Sequence, residues 1–272
     1  MKKIMIIGLM LLVSFMTLHS CQETNTLVVG LECDYVPFNW ILSSKTPTSV
    51  KVSNISGNFY ADGYDIQIAK KLAAELGKKL VVKQISWEGL IPALLNKEID
   101  VIIAGMSPTA ERKEVISFTE KYYTSNHVVL LQSNSPFAGA EELSALSGAR
   151  GVAQLSTIYA DIVSRLSVNG VVVLPEQNTV PTIITMIKSG EADFTVVEYP
   201  VAKGLIYTNP EFIAIFTNPD INYFDVDDED RDIAIGVRKE DTELLAALNV
   251  ALSHISTADR IALMDECIAK TR

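Results

Sequence analysis

The feature that most restricts this chain is a regular alternation of short apolar runs with amphipathic helical stretches, and it occurs twice. LVVGL (27–31), LVV (80–82) and DVIIAG (100–105) read as buried strands. Between the first two, Ala69, Leu72, Ala73 and Leu76 recur at i, i+3, i+4 and i+7, predicting a helix from Asp65 to a stop at Gly77. Trp87 opens another short helix. The second half repeats the scheme with strands at GVAQ (151–154), VVVL (171–174) and DFTVVE (193–198). Tyr159, Ile162, Val163 and Leu166 mark a helix face there, and Thr179 with Pro181 opens a helix that stops at Gly190. LLNKEIDVIIAG and MIKSGEADFTVVE echo one another: a helix end, a short turn with lysine, an Asp, a buried strand, then a polar residue. The pattern predicts two similar α/β lobes with mainly parallel sheets covered on both faces. Residues 42–57, rich in Ser, Thr and Asn, read as a surface loop.

In open parallel sheets ligands sit outside the carboxyl ends of the strands. Here those ends carry Glu32, Gly105 to Ser107, Gln154 and Glu198, drawn from both halves. The stretch AGMSPTAER (104–112) is the most pointed of them: a glycine strand end, hydroxyls, a helix start and Arg112. A helix start with a guanidinium suits an anion, and a carboxylate can take two parallel charge-assisted bonds from it. The alternative for Arg112 is a surface pair with Glu111 or Glu114.

The 272 residues suffice for two modest lobes, and a formal net charge of −10 argues against nucleic acid as a partner. Lys2 and Lys3 followed by the apolar 4–18 run read as an export signal, too short to span a bilayer comfortably. Removing them takes the basic count from 23 to 21 against 33 acids, a mature net charge of −12, so the surface charge would not hold the protein at a membrane. Cys33 and Cys267 could be bridged or free in an oxidising compartment, and no Cys/His cluster has metal-ligand spacing, so neither a metal nor a cofactor is expected. His127 and His254 lie far apart and read as structural or solvated.

Leu18-His19-Ser20-Cys21 resembles a bacterial lipobox with Cys21 as the lipidated residue, although His19 departs from the usual small or apolar residue; ordinary cleavage leaving a free thiol is the alternative. DYVPF (34–38), DGYDIQIAKKLAAELG (62–77), the 87–123 stretch from WEGLIPALL through SPTAER to EKYY, and GVAQLSTIY (151–159) together resemble the polar amino-acid-binding proteins of bacterial ABC importers. That resemblance implies a two-lobed clamshell of type II topology, with a signal peptide over 1–20, a first lobe from 21–130 and 232–272, and a second from 131–231. It implies Arg112 on the ligand α-carboxylate, joined by the Ile158 amide, and the Gly105 carbonyl, Ser107 hydroxyl and Glu198 on the ammonium. Glu198 stands where relatives usually carry aspartate. Tyr35, Trp87 and Glu32 would form the side-chain pocket, with Gln154 and Val197 beyond and Thr157 flanking. A buried acid such as Glu32 asks for a donor-bearing ligand, best met by arginine or lysine, with glutamine or histidine as alternatives. The implied protein is a non-enzymatic, monomeric receptor in the cell envelope, lipid-anchored, facing the periplasm or exterior and delivering its solute to an ABC permease. A dehydratase on the same clamshell is the alternative of another class.

Overall fold

The two sequence echoes become two five-stranded sheets with the same connectivity. The computed structural model describes residues 25–271, so the export signal and Cys21 lie outside the described residues. In the first sheet the spatial order is Lys79–Gln84, Thr26–Leu31, Val101–Ile102, Gly236–Val237, Ser117–Phe118. In the second it is Val172–Val173, Arg150–Gly151, Phe194–Glu198, His127–Gln132, Phe212–Ile215. The first three strands of each order run parallel, the fourth runs against its neighbours, and the fifth again opposes the fourth. Each sheet is therefore mainly parallel, with one reversed strand, and in both the reversed strand is the one reached just after the chain changes lobe.

The change of lobe is made by a two-stranded antiparallel ribbon, Tyr123–Thr124 against Asp232–Ile233. Asp232 locks the ribbon by accepting from the Lys121 ammonium at 2.9 Å and the Thr124 hydroxyl at 2.6 Å. The whole His127–Gln132 strand belongs to the second sheet, so the outward crossing sits at this ribbon rather than after residue 130.

Local signals explain most element ends. The Thr179 hydroxyl accepts the Thr182 amide, Pro181 occupies the first turn, and Gly190 closes the Val180–Ser189 helix at φ 77°. The Tyr64–Glu75 helix starts at Gly63, whose φ of 122° and contact with Phe38 exclude a side chain. The strands read as 100–105, 151–154 and 171–174 are shorter in the structure, two residues each. The 42–57 segment is not only loop. Val50–Lys51 joins Tyr60–Asp62, Asn39–Leu42 and Asp34–Tyr35 in a small antiparallel sheet. Buried Asp62 ties the segment down by accepting from the Thr46 and Thr48 hydroxyls at 3.2 and 2.5 Å. Among the described residues, no helix is long and apolar enough to cross a membrane.

Candidate functional site

The nine residues singled out from the sequence line one cavity between the lobes: Glu32, Tyr35, Trp87, Gly105, Ser107 and Arg112 from one side, Gln154, Ile158 and Glu198 from the other. Thr157 and Tyr159 complete its wall. Val197 is not part of it; its side chain is buried in the core, paired in register with Val128.

Gly105 is the position where backbone demands glycine most clearly. Its φ is 64°, and a Cβ there would sit 3.3 Å from the Tyr35 ring and 3.4 Å from Phe38. The chain then turns through Ser107 to the short Ala110–Val115 helix, which Thr109 caps. Arg112 is partly buried; its Nη1 donates to the Ser107 carbonyl at 2.9 Å and its Nη2 crosses to the Ser156 carbonyl at 3.1 Å. The guanidinium carbon lies 5.0 Å from the centre of the Trp87 ring, a cation–π stack. Burial pulls the Arg112 pKa down, yet a guanidinium remains charged. It keeps N–H groups beyond these two bonds for an anion. The surface pairing with Glu111 or Glu114 is not what the side chain does: its two bonds go to main-chain carbonyls.

The Ser107 hydroxyl donates to the Asp230 carbonyl at 3.0 Å, which leaves its lone pairs as the available function. Glu198 ends the Phe194–Glu198 strand and is only 2% exposed. Its carboxylate accepts from the Tyr35 hydroxyl across the cleft and is bonded to Tyr159. Burial pushes its pKa up to about 7 against the lowering effect of those two phenols.

At the other end, Glu32 is 7% exposed and accepts from Gln154 Nε2 at 2.9 Å, again across the cleft. Burial and then the neighbouring Asp34 raise its pKa to about 8. Asp34 itself is raised to about 6 by burial. Two carboxyls share this corner, both held above their ordinary range because burial disfavours their charged forms, so a cation or hydrogen-bond donor brought beside them would be favoured. Trp87 Nε1 donates to the Ser156 carbonyl at 3.0 Å, and Tyr35 stacks on Phe38 with centroids 5.7 Å apart. Ile158 opens the Ile158–Arg165 helix, so its amide belongs to the first turn, where no intrahelical acceptor exists.

Sequence reading missed three participants. Tyr159 was assigned to a helix face by periodicity, yet its phenol reaches Glu198 and its ring packs edge-on to His127 at 5.4 Å. Asp34 carried no periodic or spacing signal. Ser156, at φ 58°, turns its carbonyl to both Trp87 and Arg112. His127 is structural in its environment, buried with its pKa lowered to about 4, while exposed His254 pairs with Glu75 at 2.9 Å. Cys33 and Cys267 are both free and buried, with thiol pKa values pushed up to about 12 mainly by burial. Among the described residues, no cluster of His, Cys, Asp and Glu could hold a metal.

The sequence profile of bacterial extracellular solute-binding proteins, family 3, matches residues 27–266. The chain belongs to that family. It is therefore a binding protein of the extracytoplasmic type and not an enzyme, and the dehydratase alternative falls. Among curated relatives, the arginine-binding extracellular protein ArtP of Bacillus subtilis is 29% identical, over 94% of this chain and 93% of that protein. A probable histidine-binding protein of Campylobacter jejuni is 27% identical, over 74% of this chain and 71% of that protein. Among solved structures, the amino acid ABC transporter substrate-binding protein AbpA of Streptococcus pneumoniae, bound to L-arginine, superposes with a TM-score of 0.74 at 25% identity, covering 91% of this chain and 96% of that one. The two-lobed amino-acid-binding fold of this solute-binding protein is thus shared with its structural neighbours.

Proposed function

We propose that this protein is a receptor for a basic L-α-amino acid, arginine first, and passes it to an ABC permease. The observation that carries the reading is the order of ionisable groups along the cavity: the Arg112 cation, the Glu198 acid facing it from the other lobe, and Glu32 with its neighbour Asp34 at the far end. Arg112 and the Ile158 amide take the α-carboxylate. The Gly105 carbonyl, Ser107 hydroxyl and Glu198 take the ammonium. The side chain runs along Tyr35 and Trp87 to Glu32 and Gln154. Names of the relatives point the same way, since arginine appears in several of them.

Binding is coupled to closure because each lobe holds part of the clasp. Solute displaces the Tyr35 hydroxyl from Glu198 and puts an ammonium in its place. Converting a 1% closed population to 99% takes about 5.5 kcal/mol of differential affinity. Hydrogen bonds to charged groups contribute about 1.5–3 kcal/mol each, so the two made only on closure, Glu198 to the ammonium and the Ile158 amide to the carboxylate, reach that requirement at the upper end of the range.

Glutamine is the second reading, favoured by one observation. With its pKa near 8, Glu32 is protonated around neutrality, and a carboxylic acid donates and accepts as an amide requires. Calorimetric titration with the twenty amino acids separates the two: arginine and lysine binding above glutamine is the expected result. No heat from any amino acid would reject the receptor assignment. Cys21 lipidation anchors the receptor in this reading, and Cys21→Ser should release it from membranes.

A further inference from the structure

Asp65 does not line the cavity, yet its carboxylate lies beneath two of the turns that do. It is 0% exposed, in the first turn of the Tyr64–Glu75 helix. That helix start is docked on the site's own turn: the Tyr64 and Asp65 amides donate to the Pro37 and Phe38 carbonyls at 3.0 and 2.8 Å. One carboxylate oxygen, Oδ1, accepts from the Tyr122 hydroxyl at 2.7 Å, and the Tyr122 oxygen accepts the Gly105 amide at 3.1 Å. The other, Oδ2, accepts from Asn39 Nδ2 at 2.9 Å, and Asn39 Oδ1 accepts the Cys33 amide at 2.7 Å.

The two amides at the ends of these arms have something in common. Cys33 sits at φ 67° and Gly105 at φ 64°, both in the left-handed region. Cys33 is not glycine, so its turn is held against a steric preference and needs an external hold. It stands between Glu32 and Asp34, so its backbone aims the acidic corner. Gly105 carries the carbonyl assigned to the ammonium. A buried amide deprived of its acceptor is costly, so each turn depends on its arm.

We propose that Asp65 is a positioning residue for ligand: through Tyr122 it sets Gly105 for the head group, and through Asn39 it sets Glu32 for the side chain. The ligand consequences rest on the basic amino-acid reading; the two arms do not. Tyr122→Phe severs only the Gly105 arm and should weaken arginine and its uncharged isostere citrulline by one common factor, about tenfold. Asn39→Leu severs the Cys33 arm and should weaken arginine by a similar factor while moving citrulline much less. Asp65→Asn disturbs both.

The test joins calorimetry of these variants with amide hydrogen exchange, followed by NMR, on the protein without added solute. Faster exchange at Gly105 alone in Tyr122→Phe, at Cys33 alone in Asn39→Leu, and at both in Asp65→Asn is the expected pattern. Lowered melting temperatures with unchanged affinities and unchanged exchange at both amides would overturn the proposal, leaving Asp65 as a core residue. Should the unmutated protein bind neither solute, the ligand reading fails, and the exchange pattern by itself still upholds or overturns the positioning role.

Discussion

The two lobes are built to one plan and hold their polar groups at the cleft in different ways. The second strands of the two orders, Thr26–Leu31 and Arg150–Gly151, lead to Glu32 and Gln154, which meet across the cleft at 2.9 Å. Their third strands lead to Gly105 and to Glu198, which face the same cavity. What differs is how each end is held. In the first lobe the turns at Cys33 and Gly105 are left-handed and tied to buried side chains. In the second, function sits on helix starts: the Thr157 hydroxyl caps the Ile158–Arg165 helix by accepting the Ala160 amide, and Glu198 precedes the Tyr199–Thr208 helix with its carboxylate turned away from the cap and into the cavity. The contrast teaches a division of labour. In the proposed clasp, one lobe is a preset receptor carrying the guanidinium and the other contributes the opposing acid.

Substitutions at the clasp probe that division most severely. Arg112→Ala leaves a ligand carboxylate unpaired in a desolvated cleft, and should cost about 3 kcal/mol or more, roughly a hundredfold in affinity by calorimetry. Retained affinity would place the anion elsewhere. Glu198→Gln comes next, at about 2 kcal/mol, and should also abolish the ligand-induced compaction seen by small-angle X-ray scattering, since the acid is the second lobe's part of the clasp. Compaction of normal size would show that closure does not depend on it.

Glu32→Gln has a smaller and selective effect: arginine weakened about tenfold, glutamine within about threefold. Equal loss for both would dissolve the distinction between the head-group and side-chain ends. The pH effect is the smallest. Glu32 and Glu198 have pKa values raised to about 8 and about 7, chiefly by burial, with Asp34 and Asp65 raised beside them. Raised acids favour the fold below their unfolded pKa and cost it stability as pH rises through the folded values. A cationic ligand needs them ionised, so arginine should release protons on binding near pH 7 and bind several-fold more tightly at pH 8.5 than at pH 6.5. Glutamine binding that tightens as pH falls would instead identify a protonated Glu32 as the reader of an amide.

Much of the first lobe's site was legible because its signals are local. Gly105, Ser107 and Arg112 fall within eight residues, at a strand end where glycine, hydroxyls and arginine have few common uses. The Val180–Ser189 helix was equally plain, since cap, proline and terminal glycine are all sequence-adjacent. Tyr159 was hidden by its own periodicity: a helix-face residue can turn a phenol into a cavity while its ring packs as core. Asp65 was hidden differently, as a helix-start acid whose partners Tyr122 and Asn39 are 57 and 26 residues away. The small 34–62 sheet escaped because its strands, two to four residues long, are too short to show alternation. Resemblance put the outward crossing after residue 130, whereas the register of His127 opposite Glu198 moves it to the ribbon.

The most direct measurement is a crystal structure of the mature protein grown with L-arginine. The account predicts the ligand carboxylate bonded by Arg112, its ammonium bonded by Glu198 with the Tyr35 hydroxyl displaced, and its guanidinium at Glu32. Arginine seated with Arg112 turned to bulk water, or with the Tyr35 to Glu198 bond intact, would contradict it.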